Sequence, residues 1–240
     1  MTQGVSGISA CIIARDEASS LPRCIASLEG ICDEIVVLDT GSVDDTWQVA
    51  ASLGARVSRD TSCNGADGLI ADFSLARNLC LRQASHPWIL QIDADEVLRA
   101  GHTLLRAAVE RDDADVLGIT LRNASRAWVG TRFFRAHAVR GYEGLVHERL
   151  DHSARYAAEP GVVIENLPDK TGKESSSERN LRLSRLAVQR RPEDSRAWYY
   201  LGNEERRAGD YDAAIEAYRQ AIAGGRHPLS AYHSRYYIAV

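Results

Sequence analysis

Two aspartates, Asp93 and Asp95, stand at the end of the apolar segment WILQID and are followed by Glu96. In an extended backbone, side chains two residues apart point to the same side. The two carboxylates could therefore face one cation, and such oxygen ligands suit Mg²⁺ or Mn²⁺. A cation held there would bridge a diphosphate and neutralise the charge of a leaving group. The alternative is an acidic turn that is only solvated.

A second acidic residue, Asp39, ends the apolar segment EIVVLD and precedes the polar loop TGSVDDT. A carboxylate in this place could accept a hydrogen bond from a base N–H or a ribose hydroxyl. Ser42 and Asp45 could form a capping box for a helix that follows, and the N-terminus of such a helix favours anions. Alternatively, Ser42, Asp44 and Asp45 are helix caps and nothing more.

Arg77 lies in the segment ADFSLARN, residues 71–78, which is predicted to begin a helix leading to the Asp93 strand. An arginine presents a planar fork of donors that can bind a phosphate through two hydrogen bonds. Arg77 is therefore a candidate phosphate ligand, with an ordinary surface arginine as the alternative. Phe73 is expected in the core.

The elements that would position these residues alternate between continuous apolar segments and segments of helical spacing. That alternation predicts a parallel sheet with right-handed crossovers and flanking helices. Asp39 and Asp93 then stand at the carboxyl ends of strands, where open α/β sheets bind ligands. The predicted strands are 8–14, 34–39, 55–60, 88–93 and 115–122, with shorter ones at 131–135 and 161–165, and the predicted helices are 20–30, 43–53 and 73–85.

Composition changes near residue 168, where the polar stretch LPDKTGKESSSE predicts a linker. We expect one domain over residues 1–168 and a helical segment over 169–240, with helices at 177–190 and 229–240. Between them, eight residues fall at the spacings of a tetratricopeptide repeat: Trp198, Leu201, Gly202, Gly209, Tyr211, Ala214, Tyr218 and Ala221. Such repeats need neighbours, so either the chain is part of a longer one, or its last helix docks elsewhere or is covered by the helix 177–190 and the sheet domain.

The totals exclude several classes of protein. A net charge of -4 argues against duplex nucleic acid as the main partner. The sequence has no run of 18 apolar residues that would predict a transmembrane helix, and its N-terminus does not resemble a signal peptide. The five cysteines include no Cys-x-x-Cys pair, so we expect reduced thiols, mostly in the core, and no zinc site. A cytoplasmic protein is expected, with peripheral contact at the inner membrane face as an extension of that hypothesis.

Four segments in this order resemble glycosyltransferase family 2: IIARDEASSLPRCIASL, DEIVVLDTGSVDDT, ADFSLARN and WILQIDADE. The resemblance extends to Arg132–Arg135, to the motif YEGLVHE at 142–148 and to RNL at 179–181, and it covers about residues 8–225. It is closest to the branch of lipopolysaccharide-core glucosyltransferases and bacteriocin peptide glycosyltransferases, which often carry tetratricopeptide repeats. The family has the GT-A fold.

The resemblance implies an inverting transfer of a sugar from a nucleotide-sugar, most simply a UDP-sugar, with a divalent cation. It assigns Ala14, Arg15 and Glu17 to the nucleotide pocket, Asp39 to the base, Arg77 to a phosphate, and Asp93 and Asp95 to the metal and diphosphate. Inversion requires a general base for the acceptor hydroxyl. Glu148 is the first candidate and Glu96 the second, with His147 as a metal or phosphate ligand. Alternatively, the His147–Glu148 pair only braces an acceptor loop.

One segment departs from the family pattern, because residues 163–168, VIENLP, stand where a His-x-Gly-Tyr-like element is expected. This leaves the acceptor open: a saccharide, a lipid-linked glycan or a peptide. Two other functions remain as alternatives. Nucleotidyl transfer is disfavoured because ARDEASS lacks a Gly-rich basic loop, and a non-catalytic repeat scaffold is disfavoured by the retained acidic residues. The repeat could also support a homodimer or another protein partner.

Overall fold

A computed structural model of the protein describes residues 7–169, 174–224 and 228–239. Residues 170–173 of the predicted linker, and Val240 at the end of the last predicted helix, lie outside these ranges. The chain divides into two compact units. The first contains the described residues of Met1–Ile70, Leu75–Tyr142 and Leu150–Asp169, and the second those of Ala71–Ser74, Glu143–Arg149 and Lys170–Val240.

The strands of the described residues are β1 (Ile8–Ala14), β2 (Glu34–Asp39), β3 (Arg56–Arg59), β4 (Trp88–Gln91), β5 (Glu96–Ala100), β6 (Val116–Arg122), β7 (Ala127–Arg135), β8 (Val139–Glu143), β9 (Arg149–His152) and β10 (Tyr156–Asn166). The helices are α1 (Leu21–Ala26), α2 (Thr46–Ser52), α3 (Phe73–Leu81), α4 (His102–Glu110), α5 (Ser176–Arg190), α6 (Ser195–Ala208), α7 (Tyr211–Ala223) and α8 (Pro228–Ala239).

Eight of these described strands form one sheet in the order β3-β2-β1-β4-β7-β6-β10-β5, and β8 pairs with β9. Neighbours are parallel from β3 through β4, and β6 is parallel to β10. β7 runs antiparallel to β4 and β6, and β5 runs antiparallel to β10. The predicted mostly parallel sheet is confirmed. Its parallel order brings the carboxyl ends of β2, β1 and β4 to one edge, where the candidate residues stand.

The core of the first unit lies on both faces of this sheet. Along β1, Ile8, Ala10 and Ile12 belong to one apolar cluster and Cys11 to a second, as expected when side chains alternate between faces. The first cluster includes apolar residues of α1 and α4, and the second includes residues of α3. A strand that is covered on both faces needs a continuous apolar sequence, which is why β1 and β2 were recognisable.

The cysteines are free thiols, and the structure buries four of them. Cys24 lies in the first apolar cluster, and Cys11, Cys63 and Cys80 lie in the second. Their expected place in the core is confirmed.

Several predicted boundaries and one region were wrong. β4 ends at Gln91 rather than at residue 93, and α3 ends at Leu81 rather than at residue 85. β5 and α4 were not predicted, although Leu105, Ala108 and Val109 of α4 have helical spacing and are buried. Gly101 joins the two with a φ of 89°, and a Cβ there would lie 2.5 Å from the Cα of Val162. This close approach of β10 explains the glycine.

Among the described residues of the second unit, four helices follow the linker region. α5 begins with a capping box in which the Ser175 hydroxyl accepts from the Glu178 backbone N–H. α6 and α7 begin with Asp194 and Asp210, whose carboxylates accept hydrogen bonds from backbone N–H groups of the first turn. Gly209 ends α6 with a φ of 86°. These caps fix the limits of α6 and α7.

Candidate active site

The loops that follow β1 and β2 are joined by hydrogen bonds between side chains and backbone. Ala14 and Asp39 are register partners at the ends of the two strands, and the Ala14 carbonyl accepts from the Thr40 N–H at 2.9 Å. Asp16 adopts a φ of 54°, and its carboxylate accepts from the Val43 N–H at 2.8 Å. The Glu17 N–H donates to the hydroxyl of Thr46 at 2.7 Å. The backbone around Ala14 and Glu17 is therefore held by hydrogen bonds within the chain.

Arg15 and Asp39 use their side chains within the same loops. The Arg15 guanidinium donates to the Gly68 carbonyl. Asp39 is 1% exposed, and its Oδ1 accepts from the N–H groups of Gly41 and Ser42 at 2.8 and 2.7 Å. The carboxylate thus holds its own loop in shape. Its contact with a nucleotide base stays a prediction.

The predicted capping box of Ser42 and Asp45 is wrong. α2 begins at Thr46 with Asp45 as its N-cap residue, and Asp45 makes no capping hydrogen bond through its side chain. The Ser42 hydroxyl instead accepts from the Asp16 N–H at 3.0 Å. Because the Ser42 hydroxyl serves as acceptor for the loop after β1, Ser42 joins the loops after β1 and β2.

The segment from Asp93 to Glu96 is a turn, which corrects the extended conformation assumed from the sequence. The Glu96 N–H donates to the Asp93 carbonyl at 2.9 Å, and the Asp93 N–H donates to the Glu96 carboxylate at 2.8 Å. The Leu167 N–H donates to the Asp95 carbonyl at 2.8 Å. The segment 163–168, which departs from the family pattern, therefore contributes the end of β10 and a backbone hydrogen bond that anchors this acidic turn.

Four charged side chains meet at this turn, and we call them the charge cluster: Arg77, Asp93, Glu96 and Arg132. Arg77 donates from Nη1 to Asp93 Oδ1 at 2.7 Å and from Nη2 to Oδ2 at 3.4 Å. Arg132 donates from Nη2 to Asp93 Oδ2 at 3.2 Å and to Glu96 Oε1 at 3.3 Å. The sequence predicted Arg77 and Asp93 as site residues. The structure adds that Arg77 and Asp93 contact each other directly and that Arg132 binds both carboxylates.

Burial and charge act in opposite directions within the charge cluster. Burial opposes ionisation of Asp93, but the charges of Arg77 and Arg132 outweigh it and hold the pKa of Asp93 well below its usual range. Burial raises the pKa of Glu96 to about 7, since one shared arginine compensates it only in part. Burial also disfavours the charge of Arg132, yet Glu96 and Asp93 raise its pKa above the usual value. The cluster thus keeps two cations beside one firmly ionised carboxylate.

Among the described residues, no group of three or more His, Cys, Asp or Glu side chains is placed to hold a metal ion. Asp93 and Asp95 lie in the first unit and His147 in the second, and the metal site predicted from these three residues stays a prediction. Both oxygens of Asp93 contact arginines, whereas Asp95 is a half-buried carboxylate in the same turn. Carboxylate oxygens are ligands that suit Mg²⁺ or Mn²⁺, so Asp95 stays the candidate metal ligand of this turn.

His147 and Glu148 belong to the second unit, in the stretch Glu143–Arg149. The His147 ring stacks on Tyr200 with ring centroids 4.3 Å apart, and its Nε2 lies 2.9 Å from the carboxylate of Glu204. Arg196 donates to the His147 carbonyl at 2.7 Å. These contacts favour the bracing alternative for His147, while Glu148 is half-buried beside it.

The acidic partner of His147 is itself fixed. Glu204 is 3% exposed, and Arg207 donates to it at 2.5 Å. Burial alone would raise the pKa of Glu204, but the hydrogen bonds of His147 and Arg207 lower it below the usual value. Glu204 was missed from the sequence because its position in the repeat carries no catalytic motif.

Comparisons with known proteins agree with this architecture. The profile described as Glycosyl transferase family 2 matches residues 9–158, and that of the tetratricopeptide repeat matches residues 195–223. A TPR repeat-containing protein of Synechococcus elongatus is 31% identical over 252 residues, covering 97% of this chain and 61% of the relative. The glycosyltransferase SunS, derived from the SPbeta prophage of Bacillus subtilis, is 26% identical over 239 residues, covering 90% of this chain and 53% of SunS. The chain thus spans less than two thirds of either relative.

Among solved structures, residues 1–349 of S. aureus TarS in complex with UDP-GlcNAc resemble the chain with a TM-score of 0.58. The identity is 17%, over 91% of this chain and 81% of that chain, so the likeness concerns the fold. The GT-A fold is thereby confirmed. In the part of the chain that the structure describes, none of the helices has the length and apolarity needed to cross a bilayer. Since the family profile covers more than half of the sequence, the chain belongs to glycosyltransferase family 2, with a tetratricopeptide repeat following the family domain.

Proposed function

We propose that the chain transfers a sugar, with inversion, from a nucleotide-sugar to a saccharide, lipid-linked or peptide acceptor, assisted by a divalent cation. The observation that carries the proposal is the charge cluster at the carboxyl end of β4, beside the fixed loops of β1 and β2. Strand order alone makes these three loops neighbours. A UDP-sugar is the first donor to test, because TarS is described in complex with UDP-GlcNAc.

The donor's nucleoside is assigned to the loops after β1 and β2. Ala14, Arg15 and Glu17 line the pocket, and Asp39 contacts the base. Because these loops are held by their own hydrogen bonds, little conformational entropy is lost when the nucleoside binds. Preorganisation of this kind supports binding in the absence of an acceptor.

The donor's diphosphate is assigned to Arg77 and Arg132. Both guanidiniums are largely buried, with side-chain exposures of 8% and 16%, and arginine forks suit phosphate oxygens. Arg132 Nη1 is buried and has no hydrogen-bond partner among the described residues. Buried donors without a partner are rare, and a ligand oxygen would satisfy this one. Arg132 thus joins the residues predicted from the sequence.

Asp95, in the same turn as Asp93, would hold the cation. When bound, Mg²⁺ or Mn²⁺ supplies positive charge to the departing diphosphate. Asp93 keeps Arg77 and Arg132 in place through its two oxygens, so its own role is mainly to orient these arginines.

Glu148 is assigned as the general base. The acceptor hydroxyl gives its proton to the carboxylate while its oxygen bonds to the anomeric carbon and the bond from that carbon to the diphosphate breaks. Glu96 is the less suitable base, because it is 4% exposed and its oxygens contact the Asp93 N–H and Arg132. An acceptor would have to displace these contacts.

Calorimetric titration with UDP, UDP-glucose and UDP-GlcNAc tests the donor side, with Mn²⁺ or with chelator. The wild type should bind one nucleotide-sugar in a metal-dependent way, and Asp95→Ala should lose that dependence. Glu148→Gln should bind the donor as the wild type does but lose transfer. Absence of binding to all three nucleotides would refute a uridine donor. A nucleotide panel that also fails would leave the non-catalytic repeat scaffold as the better description.

A further inference from the structure

The stretch Glu143–Arg149 forms a loop with two residues in the left-handed region of backbone conformation. Gly144 has a φ of 102°, which glycine adopts easily, but His147 has a φ of 52°. A residue other than glycine pays roughly 1–3 kcal/mol there and keeps the conformation only where its surroundings impose it. The contacts that impose it on His147 should therefore be identifiable.

Those contacts come from one face of α6. Arg196, Tyr200 and Glu204 are spaced four residues apart, so their side chains line up along the helix. Arg196 donates to the His147 carbonyl, and the Tyr200 ring stacks on the imidazole at an interplanar angle of 17°. The Glu204 carboxylate is hydrogen-bonded to Nε2 of the ring. The backbone and the ring of His147 are held together by one helix.

This face of α6 is braced in turn. The guanidinium of Arg196 lies 4.6 Å from the Tyr200 ring centroid and donates to its hydroxyl at 3.2 Å. Arg207 holds the carboxylate of Glu204. The other side of the loop is held at Leu145, whose carbonyl accepts from the Phe73 N–H at 3.0 Å. Two independent attachments therefore fix the peptide on which Glu148 stands.

We propose that α6, the first helix of the tetratricopeptide repeat, acts as a positioning element for sugar transfer. Arg196, Tyr200 and Glu204 are positioning residues that fix His147 and thereby the direction of the Glu148 carboxylate. The inference rests on the proposed role of Glu148 as base. It gives the repeat a part in the chemistry of the enzyme and does not require a protein partner.

The chain offers a matched pair of variants, since Glu204 and Glu205 are adjacent, 3% and 4% exposed, and each bound to an arginine. Glu205 pairs with Arg185 at 2.8 and 3.0 Å, and among the described residues its carboxylate has no hydrogen bond to the loop 143–149. Glu204→Gln and Glu205→Gln therefore remove the same charge at the same depth. Only the first alters the support of His147.

The probes are UDP-glucose and UDP-GlcNAc. The reaction followed is their hydrolysis, in which water is the acceptor and UDP is released. The full chain is used in every experiment. In Glu204→Gln the turnover number should fall about tenfold or more, because small misplacements of a catalytic group are costly. The Kd of UDP should stay within about twofold of the wild type. Amide exchange of residues 143–149 should accelerate about tenfold. Glu205→Gln should match the wild type in all three measurements, and Tyr200→Leu should repeat the effects of Glu204→Gln.

Unchanged exchange of 143–149 in both Glu204→Gln and Tyr200→Leu would overturn the inference, as would equal changes in Glu204→Gln and Glu205→Gln. Glu148→Gln separates it from the proposed function. If Glu148→Gln releases UDP at the wild-type rate, the assignment of the base has failed, and so has the catalytic part of this inference. If Glu148→Gln is inactive while Glu204→Gln keeps full turnover, the base assignment stands and the positioning role alone is refuted.

Discussion

Glu34, at the start of β2, offers a prediction whose size follows from its hydrogen bonds. Its carboxylate accepts from the Ser9 hydroxyl at 2.6 Å, from the Ser85 N–H at 2.9 Å and from the Arg56 guanidinium at 2.6 Å. These donors come from β1, β3 and the segment before β4. Replacing Glu34 by Gln keeps the shape of the side chain but removes the charge and turns one acceptor oxygen into a donor.

The magnitude comes from the pKa. Burial alone would raise the pKa of Glu34, but Ser9, Ser85 and Arg56 outweigh it and lower the value from 4.5 to about 2. The side chain is 15% exposed, so solvent screens these contacts weakly. With about 1.4 kcal/mol for each pKa unit, the ionised carboxylate stabilises the fold by roughly 3 kcal/mol at pH 7. Because the folded value is the lower one, this contribution exists above about pH 4.5 and falls to about half near pH 3.

Urea unfolding at a series of pH values from 7 down to 3.5 measures the effect. Glu34→Gln should lower the free energy of unfolding by roughly 3 kcal/mol at pH 7, and the difference from the wild type should shrink as the pH falls. Glu29→Gln, at an exposed glutamate in the same unit, should change it by less than about 0.5 kcal/mol. A loss at pH 7 below about 1 kcal/mol, or one that does not vary with pH, would refute the reasoning.

Three further outcomes are expected. Arg77→Met removes one of the two cations beside Asp93, which should cost about 2–4 kcal/mol in urea unfolding and raise the pKa of Asp93 in a carboxyl NMR titration. Gly202→Ala places a Cβ 2.5 Å from the Tyr218 ring, so thermal unfolding should show a loss of about 1–3 kcal/mol despite a gain in helix propensity of about 1 kcal/mol. Asp39→Asn weakens the support of the loop after β2, and calorimetry should show UDP binding about tenfold weaker. If a variant keeps the wild-type stability or UDP affinity, the contribution assigned to the contact that it removes or strains is wrong.

The sequence predicted those parts of the fold that depend on local patterns. β1 and β2 have the predicted limits because strands covered on both faces need continuous apolar residues. The helical repeat was recognised from residues at fixed spacings, among them Gly202, Gly209 and Tyr218, and a repeat profile matches residues 195–223. β5 was missed because its five residues follow an acidic turn without an apolar run.

The sequence predicted residues of the candidate site, but it did not predict which of them contact each other. Asp93 and Arg77 were both expected, yet nothing in their spacing indicates that they bind each other. Arg132 joins them only because β7 pairs antiparallel with β4 across a long insertion. His147 was expected beside a metal or phosphate, and its actual partner Glu204 lies 57 residues away. Contacts set by tertiary pairing leave no periodic trace in a sequence.

The two border strands of the described sheet, β3 and β5, have a consequence for self-association. Both are short, and they carry arginines at Arg56, Arg59 and Arg99. A border strand exposes unpaired N–H and C=O groups that invite another strand, and short length and charge discourage this. The Arg59 guanidinium donates to the Ser42 carbonyl, and that of Arg99 is bound to Glu165, so the charges are also held in place. We therefore expect that two copies of the chain do not join through these border strands into one continuous sheet.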